Sequence, residues 1–154
     1  MAGKKSIIAK VRSLLHKEQA PLASAPDGKQ QPKLQARSLS TEESRHIAEL
    51  LHRWVLAKGY RLPHRTMVEA AKNIGTDSVT LHRYCVNCLG KDFRAWRTEL
   101  RIEDAKKLMM EEPGPSVSKI AAMVGVQDRS NFLRIFSEST GQTPDKWRKT
   151  HGVK

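Results

Sequence analysis

SVSKIAAMVGVQDRSNFLRIFSESTGQTPDKWRK, residues 116–149, is the stretch on which the reading of this chain turns. Ser116 suits an N-cap, because its hydroxyl can accept from a backbone N–H that the first helical turn leaves orphaned. Val117, Ile120, Ala121 and Val124 then recur at helical spacing. Gly125 follows where a helix closes in the left-handed region, which glycine enters without a Cβ penalty. Asp128 is the next N-cap. Behind it Phe132, Ile135 and Phe136 form one apolar stripe, leaving Arg129, Ser130, Asn131 and Arg134 mostly off it. Gly141 closes this helix, and Thr143-Pro144 supplies an N-cap and an N1 proline for a third short helix carrying Trp147. Two short helices joined by a tight glycine-containing turn are a helix-turn-helix, and the second presents a polar, basic face.

The same residues carry a likeness. Ile120-Ala121, Val124-Gly125, Asp128, Ser130, Phe132, Phe136, Gly141, Pro144 and Trp147-Arg148 fall in register without a gap. In that pattern the stretch resembles the second helix-turn-helix of AraC/XylS-type transcription regulators. Val126 departs from it, standing where the family usually has an aromatic, at a position with no expected DNA contact.

Bulk composition sets the bounds. With 154 residues, the chain has room for one domain of ordinary size plus a tail. A hydrophobic content of 38% suffices for a small helical core. No run of about 18 apolar residues offers a membrane span, and no charged segment leads into an unbroken apolar one as in a signal peptide. Two cysteines fit a reducing cytosol and argue against a disulfide scaffold. With this composition a cytoplasmic protein is the expectation, membrane-tethered if the chain is a fragment, and the resemblance implies a bacterial, nucleoid-associated one.

Charge is the informative quantity: 28 Lys+Arg against 16 Asp+Glu, net +12, which selects polyanionic partners. Residues 1–40 hold 8 basic and 2 acidic side chains, and the remainder 20 and 14, so each part carries +6. A DNA-binding face must therefore be made by placement rather than by overall charge.

Residues 1–39 read as a flexible basic tail and linker. Within it, KKSIIAKVRSLLHK (4–17) fits an amphipathic basic helix with Ile7, Ile8, Val11, Leu14 and Leu15 on one face. A membrane-surface anchor, a minor-groove arm, a dimerisation helix and a tail without a partner all remain open for it. Residues 19–38, rich in Gln, Pro, Ala, Ser and Lys, lack apolar periodicity and read as a disordered linker.

The domain itself is placed at residues 40–154. Ser40 with Glu43 reads as a capping box, followed by the stripe Ile47, Leu50, Leu51, Trp54 and Val55 and an end at Gly59. Residues 60–65 form a loop containing Pro63. Thr66 with Glu69 opens a second helix, with Val68, Ala71 and Ile74 inward and Gly75 as its stop. Asp77 caps a third, carrying Leu81, Tyr84, Cys85 and Cys88 and ending at Gly90. The series Ala71, Ile74-Gly75, Asp77, Leu81, Cys85, Gly90 matches Ala121, Val124-Gly125, Asp128, Phe132, Phe136, Gly141 at an offset of about 50 residues, an internal duplication.

The fold class is accordingly all-α: two homeodomain-like helix-turn-helix units, 66–90 and 116–141, with a final helix at 143–150. Between the units Asp92 caps a long helix, 92–112, with Phe93, Trp96, Leu100, Ala105 and Leu108 inward, and Pro113-Gly114-Pro115 breaks it. This pairing extends the resemblance to about residues 42–150. Cys85 stands where the family generally has Phe, and Asp77 where Ser is common. The upstream sensory or oligomerising domain that many relatives carry is missing from this sequence.

A recognition helix lies in the major groove with its N-terminal and outward residues at base edges. That nominates Val79, Thr80, His82 and Arg83 in the first unit, and Arg129, Ser130, Asn131 and Arg134 in the second. Arginine suits guanine, asparagine suits adenine, and a Val or Thr methyl suits the thymine methyl. The family's base-contacting positions coincide with these. Phosphate contacts are expected from helix N-termini and nearby cations: Thr66, Ser116, Lys91, Lys146 and Arg97. The connecting helix is expected to fix the separation of the units, placing them in successive major grooves about 34 Å apart.

His82, Cys85 and Cys88 form H-x-x-C-x-x-C, but a closed zinc site needs four ligands and no fourth is evident. Cys85 as a core residue and Cys88 as half-buried is the plainer account, and no cofactor or metal is expected. No phosphate-binding glycine loop, zinc-protease motif or nucleophile elbow suggests an enzyme. The resemblance implies a sequence-specific regulator of double-stranded DNA, usually an activator touching RNA polymerase. The rival expectation is an output or interaction module of a membrane-associated signalling protein, with residues 1–17 on lipid.

Overall fold

The computed structural model describes residues 38–63 and 66–152, which are helical without strands. The basic segment 4–17 and all but the last residue of the 19–38 linker lie outside the described residues. In order come α1 (Thr41–Leu56), a 3₁₀ turn (Gly59–Arg61), α2 (Met67–Ile74), and α3 (Ser78–Tyr84), which runs on as a π-helical turn (Cys85–Leu89). Then follow α4 (Phe93–Glu111), α5 (Val117–Met123), α6 (Arg129–Thr140) and α7 (Pro144–His151).

Every expected N-cap is in place. Ser40 and Glu43 form a reciprocal box at 3.1 and 2.7 Å, and Thr66 with Glu69 forms another. Asp77, Asp92, Ser116, Asp128 and Thr143 each accept from the first turn of the helix they open. Each such cap contributes about 1 kcal/mol, enough to set where a short helix starts. The glycines of the duplicated pattern all take positive φ: Gly75 (105°) and Gly125 (93°) in the turns, Gly90 (70°) and Gly141 (77°) at the helix ends.

Two details differ from the expectation. Helix α1 is closed by Lys58, which takes the left-handed region at φ 56°, and not by Gly59. Gly59 serves a different need: a Cβ there would stand 2.2 Å from the Trp54 Nε1. In α2 the inward residues are Ala70, Ala71 and Ile74, whereas Val68 is 63% exposed. At about 100° per residue, Val68 points roughly 200° away from Ala70.

The interior is divided into two cores. The first joins α1, α2 and α3 around Leu51, Trp54, Leu81, Tyr84 and Cys85. Trp54 anchors it, with the rings of Phe93, Trp96 and Tyr60 at 5.7, 6.0 and 6.3 Å and its indole N–H donating to Asn73 at 3.0 Å. The second core gathers Ile120, Val124, Phe132 and Phe136, closed by Trp147 of α7 edge-on to Phe136 at 6.1 Å. Val126 is buried in it, so the smaller residue at the usual aromatic position still packs.

Helix α4 serves both cores with different faces. Phe93, Trp96 and Leu100 enter the first, and Ile102, Ala105, Leu108 and Met109 enter the second. From Leu100 to Ile102 the helix turns by about 200°, which moves the apolar stripe to the opposite side. The two units are thus packed on opposite faces of successive halves of one helix.

Candidate nucleic-acid interface

Each unit exposes the outer face of its second helix, because the inner face fills the core. On α6, Phe132 and Phe136 are fully buried, while Arg129, Ser130, Asn131 and Arg134 are all exposed. The Asp128 carboxylate accepts from the Ser130 N–H at 3.1 Å, and the residues of that first turn are exposed. Ser130, Asn131 and Arg134 fall within about 100° of one another on the helix, with Arg129 at its N-terminal edge. Two of them are joined to each other. Arg134 donates from Nη1 to the Glu138 carboxylate at 3.1 Å and from Nη2 to the Asn131 Oδ1 at 2.9 Å.

On α3 the nominated residues are more mixed. Val79 is 57% exposed and His82 is exposed. Thr80 is half-buried, and its hydroxyl donates to Asp77 at 2.7 Å, which fixes the direction of its O–H. The backbone N–H of Thr80, and after it that hydroxyl bond, hold the Asp77 carboxyl below its usual range. Arg83 is half-buried, with its Nε covered and without a hydrogen-bond partner among the described residues.

The nominated phosphate ligands fall at two kinds of place. Thr66 and Ser116 are exposed N-caps of α2 and α5, and Lys146 is exposed in the first turn of α7. Lys91 is paired with Glu99 of α4 at 2.5 Å. Arg97 is half-buried, its guanidinium carbon 5.6 Å from the centre of the Phe93 ring. Burial, and then the charge of Arg94, hold the Arg97 guanidinium below its usual range.

Arg97 also lines a recess of about 320 Å³ between α2, α3 and the start of α4, together with Thr66, His82, Asp92 and Arg94. Two arginines against one carboxylate leave this recess with a net positive charge, beside the exposed face of α3. Arg94 was not among the residues nominated from sequence. Its signal was available: it lies in the first turn of α4, one position past Phe93 and three before Arg97.

The H-x-x-C-x-x-C motif gathers no ligand set. Cys85 is buried and Cys88 half-buried, and no group of three potential metal ligands converges among the described residues. Burial pushes the Cys85 thiol up to about 12. No helix among the described residues is long and apolar enough to cross a membrane.

A family model described as "Helix-turn-helix domain" matches residues 70–150, which take in the first unit from within α2, the connecting helix and the whole second unit. The chain belongs to the AraC-type helix-turn-helix family. It is 30% identical over 86 residues to the transcriptional activator NphR of Rhodococcus sp, covering 56% of this chain and 25% of NphR. Its fold is that of a transcriptional regulator with an AraC-type DNA-binding domain from Chromobacterium violaceum (TM-score 0.60, 18% identity, 73% of this chain and 96% of that one). The C-terminal domain of AraT, a response regulator from Geobacillus stearothermophilus, is similar as well (TM-score 0.59, 22% identity, 68% and 88%). The chain spans about a quarter of the length of the curated relatives it matches. The match makes this chain a member of a transcription-regulator family, carrying its AraC-type helix-turn-helix domain.

Proposed function

We propose that this chain is a sequence-specific transcription regulator that reads two successive major grooves of one duplex, and that it acts as an activator. Residues 40–154 form the DNA-binding unit in this reading. The observation that carries it is the pair of helices α3 and α6. Each is the second helix of a helix-turn-helix, buried on one side and exposed on the other, and α6 offers Arg129, Ser130, Asn131 and Arg134 together. Arg129 and Arg134 suit guanine edges and Asn131 an adenine, while Val79 and the Thr80 methyl suit thymine methyls. Phosphates on either side are held at Thr66, Ser116 and Lys146, and in the recess containing Arg94 and Arg97.

Activation is the role that the name of NphR supports. It requires a surface for RNA polymerase, and the sides of the units away from DNA are available for one. The test is in-vitro selection of duplexes by the full chain at near-physiological salt. The expected result is one asymmetric motif with two windows about one helical turn apart. A single short window would leave one reading unit, and no enrichment over random duplex would remove the proposal. Transcription from a promoter carrying the selected site, with and without the chain, separates activation from repression.

A further inference from the structure

The turn Gly59–Arg61 belongs to the first unit by sequence, yet its polar contacts reach past that unit. Arg61 donates from Nε and Nη2 to the two carboxylate oxygens of Asp104, at 2.6 and 2.9 Å. Arg101 donates to the carbonyls of Tyr60 and Leu62, at 2.7 and 3.1 Å. On its other side the turn meets the second unit: a Cβ on Gly125 would stand 2.3 Å from the Arg61 carbonyl oxygen. One short turn is therefore gripped by the connecting helix and abutted by the turn glycine of the second helix-turn-helix.

Asp104 is the only buried charged side chain among the described residues. It lies in the half of α4 that feeds the second core but, one turn beyond Leu100, it continues the face that meets the first unit. A two-bond arginine–carboxylate fork fixes orientation as well as distance. With the carboxylate buried, losing either partner leaves an uncompensated charge, which an exposed surface pair would not.

We propose that Asp104 and Arg61 are positioning residues that set the spacing and phase of the two DNA-reading windows, through a clamp made by the Gly59–Leu62 turn. The proposal rests on the two-window reading above. Each base pair added between two windows moves the second by about 3.4 Å and turns it by about 35°. Units locked by the clamp tolerate little of this; units joined by α4 alone tolerate more.

The experiment uses the full chain, unaltered or with Asp104→Asn, which keeps the side chain's shape and removes its charge. Duplexes carry both selected windows at separations changed one base pair at a time, or either window alone. The variant's preference for the best spacing over spacings two base pairs away should fall by about fivefold or more. Its affinity for each single window should stay within about twofold. Arg61→Lys, which keeps the charge and loses the fork, should flatten the spacing profile to a lesser degree and decides the matter alone if Asp104→Asn does not fold by circular dichroism. An unchanged spacing profile overturns the clamp. So does a parallel loss of single-window binding, which makes the pair ordinary support for the fold. If the unaltered chain shows no preference for any two-window duplex, the two-window reading itself falls, and the clamp with it.

Discussion

At the residue scale, Arg134 concentrates the chemistry of the second unit. Its guanidinium has five N–H donors, and those directed to Glu138 and Asn131 leave others for a base edge. An arginine held this way arrives with less rotamer freedom to lose. Arg134→Ala should weaken binding to the best selected site by about 1–3 kcal/mol and relax preference at one base pair. Titrations against a panel of single-base variants check this; equal weakening on all duplexes would assign Arg134 to phosphate. The thiols give a second prediction. Burial raises Cys85 to about 12 and raises the half-buried Cys88 as well. A group raised in the folded state contributes stability below its unfolded pKa, about 8.5, and loses it as pH climbs through the folded value. The free energy of unfolding should therefore fall from about pH 9 upward, and less steeply in Cys85→Ala. In the native protein at pH 8 a thiol reagent should modify Cys88 slowly and leave Cys85 untouched.

At the scale of elements, the glycines that close the helices are not equivalent. Gly125 and Gly141 both have positive φ, but a Cβ on Gly141 meets nothing within 4 Å, while one on Gly125 meets the Arg61 backbone. Gly141→Ala should cost about 1 kcal/mol, the penalty of a left-handed alanine. Gly125→Ala adds an overpacked contact with backbone that cannot swing aside, and should cost about 2–4 kcal/mol. Chemical denaturation of both variants measures the difference. Similar costs would mean that the 59–62 turn yields easily, which would weaken the case for a rigid junction. The π-helical turn at Cys85–Leu89 marks another difference between the units, since α6 runs as regular α-helix to Thr140. Cys85 occupies the place of Phe136 in the duplicated pattern, so the first unit closes its core with a smaller side chain.

At the scale of the whole molecule, charge and shape divide the work. The net +12 is split evenly between residues 1–40 and the rest, so half of the charge that would attract a polyanion at long range lies ahead of α1 in the sequence. Removing residues 1–38 should lower the slope of log affinity against log salt by about 0.9 for each phosphate that the segment neutralises. The selected motif should be unchanged, because the exposed side chains of α3 and α6 remain. Binding isotherms at several salt concentrations, followed by repeat selection, test both parts; a changed motif would show that the segment reads bases.

Local chemistry wrote most of this architecture into the sequence. N-caps and positive-φ glycines act within one turn of chain, so Ser40, Thr66, Asp77, Asp92, Ser116, Asp128 and Thr143 could each be assigned without knowing a neighbour in space. The duplicated spacing carried the two helix-turn-helix units and the outward residues of α6 with it. Tertiary structure decided what depends on contacts between distant segments. Nothing near Asp104 in sequence foretells burial; Arg61, 43 residues away, makes it tolerable. Gly59 reads as a helix stop until Trp54 is seen lying against it. The mixed apolar pattern of α4 likewise resolves only once each half of the helix has its own core to face, and the relative placement of α3 and α6 follows from that division.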